Sequence, residues 1–148
     1  MYQRILVAVD GSRVSDQALD EALQLAKDQN AELRIVHVVD TVTLSVDTEF
    51  ADIAQYQQKL HAAGQKVLKK AEEAVQRAGG KAETALLELQ MLGHRTASAI
   101  VDEAQRWQAD LIVVGTHGRR GISHLFMGSV AEGVAQLANG PVLLIHGK

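Results

Sequence analysis

The chain has 148 residues, enough for one domain, and at that length folding hides roughly 70% of the unfolded surface, so the core needs no covalent staple. The absence of cysteine excludes a disulfide framework, a thiolate metal site and a cysteine nucleophile, and it points to a reducing, cytoplasmic setting. Lys+Arg 15 against Asp+Glu 18 leaves a formal charge of −3, the wrong sign for a nucleic-acid binder, and apolar runs such as Ile5 to Val9 are too short for membrane insertion.

Hydrophobic content is 47% but aromatic content only 3%, so the predicted core is built from Ala, Val, Leu and Ile. Ile5-Leu6-Val7-Ala8-Val9 reads as a first strand entering a turn at Asp10-Gly11-Ser12. From Val14 the spacing becomes helical, with Ala18, Ala22, Leu25 and Ala26 on one stripe, and Asn30 closes it. Leu33 to Val39 is a second strand. Leu60, Val67, Leu68, Ala71, Val75 and Ala78 mark a long helix stopped by Gly79-Gly80. Ala85, Leu87 and Leu89 alternate with Thr84, Leu86 and Glu88 as a third strand, and Ala97, Ile100, Val101 and Ala104 mark a further helix. Leu111 to Val114 forms a fourth strand that stops at Gly115. A glycine-punctuated loop then runs to Gly128, a short helix carries Val130, Val134, Leu137 and Ala138, and Pro141 to Ile145 is the fifth strand.

Strands and helices alternating in short units imply right-handed crossovers and a parallel sheet covered on both faces. The first and fourth strands are apolar at every position, so both belong in the middle of the sheet. The expected fold is therefore a Rossmann-like α/β domain spanning residues 1–148, an open five-stranded parallel sheet in the order 3-2-1-4-5 with helices on both faces. Winding reverses between strands one and four, and ligands of such sheets sit beyond the carboxyl ends at that reversal. Asp10-Gly11-Ser12 and Gly115-Thr116-His117-Gly118 emerge there.

The spacing Gly115-x2-Gly118-x9-Gly128-Ser129 suits a phosphate cradle, because glycine lets main-chain N–H groups approach an anion closely. It leads into a helix whose unpaired N–H groups and positive dipole end offer a second anion site. Arg119, Arg120, His117 and His124 add local positive charge. The same residues also read as plain structure: the glycines as turns, Ser129-Val130-Ala131-Glu132 as a capping box, and the arginines as a solvated loop face. Asp10, at the end of a buried strand, suits a ribose hydroxyl or Mg²⁺, or else an Asx-type turn with Gly11 and Ser12.

Taken together, Val7-Ala8-Val9-Asp10-Gly11-Ser12, His37-Val38-Val39, Gly115-Thr116-His117-Gly118-Arg119-Arg120-Gly121, Gly128-Ser129-Val130-Ala131 and Pro141-Val142-Leu143 resemble the universal stress protein family over essentially the whole chain. In that family the Gly-x2-Gly-x9-Gly-Ser/Thr pattern marks the ATP-binding branch. The resemblance implies that Asp10 and the backbone at Ala8 and Val38 line the adenosine end of a nucleotide pocket. Gly115 and Gly118 would pass close to ribose and phosphates, and Arg119, Gly128, Ser129 and Val130 would contact the phosphate tail. The implied ligand is ATP, or the shorter AMP or ADP, with Mg²⁺ carried by the phosphates and Asp10 as the side chain placed to reach it. The segment from Thr41 to Gln57 matches no motif.

The resemblance also implies a homodimer. An apolar terminal strand at a sheet edge needs cover, so Val142, Leu143, Leu144 and Ile145 are expected to meet a symmetry mate, unless a loop or helix covers them. No Walker, Gly-x-Gly-x-x-Gly, His-Glu-x-x-His or Gly-x-Ser-x-Gly pattern occurs, and the six histidines lack zinc-ligand spacing. No catalytic residue stands out; Asp10 and His117 are the two groups suited to serve as a general base. The expected role is regulatory nucleotide binding in a stress response. A slow ATPase or other ATP-using enzyme in the same pocket, and a nucleotide-free dimeric scaffold, are the alternatives.

Overall fold

The computed structural model describes residues 1–42, 50–89, 91, 93–117 and 127–147, with the backbone alone at 50 and 51. Its elements are β1 (Arg4–Ala8), α1 (Arg13–Gln29), β2 (Glu32–Val39), α2 (Phe50–Arg77), β3 (Glu83–Glu88), α3 (Thr96–Trp107), β4 (Leu111–Gly115), α4 (Ser129–Leu137) and β5 (Val142–Ile145). The strands form one sheet in the order β3-β2-β1-β4-β5, with every neighbouring pair parallel. This is the architecture expected from the alternating periodicities.

The central strands explain the order. Ile5, Leu6 and Val7 of β1 are fully buried, and Leu111 to Val114 of β4 nearly so, because alternate side chains enter two separate cores. Ile5, Val7 and Val113 pack with α1 and α2, whereas Leu6, Ile112 and Val114 pack with α3 and α4. The edge strand β5 divides likewise, Leu143 and Ile145 against the first core and Val142 and Leu144 against the second, but all four remain half-buried. Among the described residues no helix is long and apolar enough to cross a membrane.

Local signals set the helix ends. The Ser12 hydroxyl caps α1 by accepting from Ser15 N–H, and Asn30 ends it in the left-handed conformation at φ 54°. The long helix α2 begins at Phe50, ten residues before the stripe that starts at Leu60. Its first turns expose most of the described side chains, so hydrophobic periodicity carries no signal there.

The amino-terminal rim of the sheet is closed by polar contacts. Both carboxylate oxygens of Asp110 accept main-chain N–H groups, those of Gln3 and Arg4 at 2.9 and 3.1 Å. The Arg4 guanidinium donates to the Trp107 carbonyl at the end of α3, at 2.8 Å. Arg34 of β2 bridges Glu83 of β3 at 2.5 Å and the buried Glu103 of α3 at 2.6 Å, and its guanidinium lies 4.9 Å from the Trp107 ring centroid. Burial opposes the Arg34 charge, but the hydrogen bonds it donates to Glu83 and Glu103 together with their negative charges outweigh it and raise its pKa. Trp107, the last residue of α3, is the platform of this cluster.

Candidate functional site

The opposite rim, at the carboxyl ends of the strands, carries the residues singled out from the sequence. The β1–β4 register aligns Val7 with Val113, so the turn after Ala8 and the segment after Gly115 emerge side by side. Ala8 is the last residue of β1 and is half-buried. Beyond it, Val9 N–H donates to the Val36 carbonyl at 2.9 Å, and His37 Nδ1 lies 2.7 Å from the Val9 carbonyl. Val38, one residue further along β2, packs half-buried on the α3 and α4 side.

Asp10 opens the turn into α1. Ser12 N–H donates to Asp10 Oδ1 at 2.9 Å, an Asx-type turn in which Gly11 takes φ 84°. Asp10 N–H in turn donates to the hydroxyl of buried Ser15 at 3.2 Å. The structural alternative for Asp10 is thus formed, and it orients the carboxylate on the rim rather than competing with a ligand role, since two carboxylate oxygens accept more than one bond.

At the end of β4, Gly115 is required by contact. A Cβ there would stand 2.6 Å from Val14 Cγ1 on α1, a distance real side chains do not tolerate. The next residue, Thr116, is fully buried. Its N–H donates to the Ile145 carbonyl of β5 at 2.9 Å, and its carbonyl accepts from Gly128 N–H at 2.6 Å. The second bond brings the start of α4 to the end of β4.

The capping-box reading of Ser129 is corrected here. Gly128 is the N-cap of α4, with extended φ −65° and ψ 159° and no side-chain cap bond. Its carbonyl already accepts from Glu132 N–H at 3.0 Å, so Ser129 is the first helical residue and Glu132 lies one position too late to close a box. Gly128 N–H is committed to Thr116. The N–H groups of Ser129 and Val130, which have no acceptor within a helix at that position, remain at the mouth of α4 with the positive dipole end. Ser129 is exposed and Val130 half-buried.

Helix α4 is seated against α3 by a second close approach: a Cβ at Gly133 would lie 2.6 Å from Ala97 Cβ. On the outer flank, Glu88 at the end of β3 contacts His61 Nε2 of α2 at 2.9 Å and accepts from the Thr41 hydroxyl at 3.2 Å. The hydrogen bond with His61, more than that of Thr41, holds the Glu88 carboxyl below the usual range, against a smaller upward push from burial.

The rim thus gathers Ala8, Asp10, Val38, Gly115, Gly128, Ser129 and Val130. Gly118, Arg119, Arg120 and His124 lie outside the described residues. Sequence reasoning gave no role to Ser15 or Thr116. For Thr116 the available signal was a polar residue directly continuing an all-apolar strand. A groove of about 260 Å³ on the opposite rim, lined by Val101, Gln108, Leu111, Asn139 and Pro141 among others, lies away from these residues.

Residues 1–146 match the model of the Universal stress protein family. The chain belongs to that family. It is 36% identical over 155 residues to the universal stress protein YxiE of Bacillus subtilis, covering 99% of this chain and 100% of that protein. The structure is similar to that of a universal stress protein in complex with cAMP, with TM-score 0.73 and 30% identity over 99% of both chains. It is also similar to the universal stress protein of Archaeoglobus fulgidus in complex with dAMP, with TM-score 0.66, 28% identity, and 97% of this chain and 98% of that one covered. These two similar proteins are thus seen with adenine nucleotides.

Proposed function

We propose that this universal stress protein binds ATP at the carboxyl rim between β1 and β4 and acts as a cytoplasmic regulator rather than an enzyme. The observation that carries the reading is the Thr116–Gly128 closure at 2.6 Å, which sets the unpaired N–H groups of α4 beside the end of β4, where the fold places ligands. The cAMP and dAMP complexes of its relatives support an adenylate in particular. In this reading Asp10 meets the ribose hydroxyls or a phosphate-borne Mg²⁺, and Ala8 and Val38 flank the adenosine. Gly115 and Gly118 give the backbone clearance, and Arg119, Ser129 and Val130 meet the phosphates. The two groups suited to serve as a base hold local hydrogen bonds, Asp10 with Ser12 and His117 with Thr116.

Mass spectrometry of ligand released from freshly purified protein is expected to find an adenine nucleotide. Because Ser129 is not the cap, Ser129→Ala should change stability by no more than about 0.5 kcal/mol. It should weaken ATP about tenfold and adenosine hardly at all in calorimetric titrations. Purified protein that carries no nucleotide and takes up no ATP would refute the assignment.

The dimer belongs to the same proposal. Val142, Leu143, Leu144 and Ile145 form a half-buried apolar edge strand, the kind of edge that a second copy of the chain covers. Leu143→Asp is expected to run as a monomer in light scattering; a persistent dimer would place the interface elsewhere.

A further inference from the structure

We propose that His37 and Ser15 position Asp10 for the nucleotide by clamping the Val9–Asp10 peptide group between them. The consequence for affinity rests on the nucleotide reading above; the clamp does not. Val9 is buried and lies one residue beyond the end of β1. Its N–H still follows the sheet, donating to the Val36 carbonyl at 2.9 Å. The peptide that follows is held by side chains instead. His37 Nδ1 stands 2.7 Å from the Val9 carbonyl oxygen, and since a carbonyl has no hydrogen to give, the ring nitrogen is the donor. On the other edge of the same peptide, Asp10 N–H donates to the Ser15 hydroxyl at 3.2 Å. That hydroxyl gives its own hydrogen to the Ser12 carbonyl at 3.0 Å.

Holding both edges of a planar group fixes the plane, and the Asp10 Cα lies in it. The bond from Ser12 N–H to Asp10 Oδ1 then sets the side chain. The clamp is packed as well as bonded. Helix α2 crosses the ring at Gly64, where an added Cβ would stand 3.1 Å from His37 Cδ2. His37 continues the Ile35 face of β2 into the first core, and Ser15 is buried on α1. Both are polar groups at positions that packing alone would fill with apolar ones, and the Val9–Asp10 peptide is what both of them bond. His37 and Ser15 act through Asp10 and are positioning residues.

The test has two arms on the full chain. Without nucleotide, long-range proton–nitrogen spectra are expected to show a hydrogen on His37 Nδ1. In His37→Phe, which keeps a ring in the same space but gives no hydrogen, the Ser12 amide should exchange about tenfold faster or more, because the carboxylate that accepts it is no longer aimed. In calorimetry His37→Phe and Ser15→Ala should each weaken ATP about tenfold, and His37→Asn, whose amide reaches the Nδ1 position, should recover most of the loss. In an Asp10→Asn background His37→Phe should cost less than about twofold further, whereas a packing role alone would cost the same in both backgrounds. Ser15→Ala carries the same two arms should His37→Phe not fold. Wild-type exchange at Ser12 in the variants, or equal losses of affinity in the two backgrounds, overturns the proposal. Faster Ser12 exchange in the variants of a protein that takes up no ATP overturns the nucleotide reading and the purpose of the clamp with it, leaving His37 and Ser15 as supports of the turn alone.

Discussion

Replacing Arg34 by methionine is expected to lower stability by about 3 kcal/mol, the usual cost of removing one partner from a buried ion pair. For a chain of this size that is a fall in thermal midpoint of roughly 6–12 °C. The Arg34 side chain is 21% exposed and Glu103 only 6%, so the stranded Glu103 carboxylate keeps little access to water, and Arg106, at 3.4 Å and largely exposed, is a poor replacement. Glu83, half exposed on the edge strand, contributes little of the effect. The double variant Arg34→Met with Glu103→Leu should return to within about 1 kcal/mol of wild type, because an apolar pair of similar volume avoids the desolvation cost. Calorimetric melts of the three proteins decide; equal melting of the single and double variants would mean that the carboxylate is not what destabilises the single one.

Gly133→Val should damage both fold and site. The added Cβ meets Ala97 Cβ at 2.6 Å, and neither side chain has a flexible end to move aside, so α4 must shift away from α3. Overpacking of this kind costs about 1–3 kcal/mol. The shift also carries the N–H groups of Ser129 and Val130, one turn earlier on the same helix, away from the end of β4. Misplacing oriented donors by a fraction of an ångström weakens the bonds they make, and ATP affinity is expected to fall at least tenfold. Denaturant titration and calorimetry on the same preparation separate the two effects. A folded variant with wild-type affinity would show that the seating of α4 on α3 does not govern the pocket.

The strand order was legible because Ile5 to Ala8 of β1 and Leu111 to Val114 of β4 form unbroken apolar runs, a pattern that only a doubly covered central strand explains. Asn30, Gly79 and the Asp10-Gly11-Ser12 turn were legible for the same local reason, being residue types that the required backbone conformations favour. Two features were not. The start of α2 at Phe50 escaped because its first turns bury too little to leave a stripe. The Arg34–Glu103 pair joins residues 69 positions apart, and no local pattern announces that.

At the site, the sequence located the rim and its glycines but displaced the helix cap by one residue. Ser-x-x-Glu at 129–132 fits a capping box as a string of letters, yet the bond from Glu132 N–H to the Gly128 carbonyl makes Gly128 the cap, one residue earlier. Gly115 reads as a turn or cradle residue, whereas its Cβ position is filled by Val14, and Gly133, to which the sequence assigned nothing, has its Cβ position filled by Ala97. Both the clearance that a phosphate would use and the clearance that packing uses call for glycine, and letters alone do not separate them.

The polar clasp formed by Asp110, Arg4, Arg34 and Glu103 makes the sheet asymmetric from end to end. With that margin riveted to α3 by charge as well as by packing, the two ends of the sheet are fastened by different chemistry.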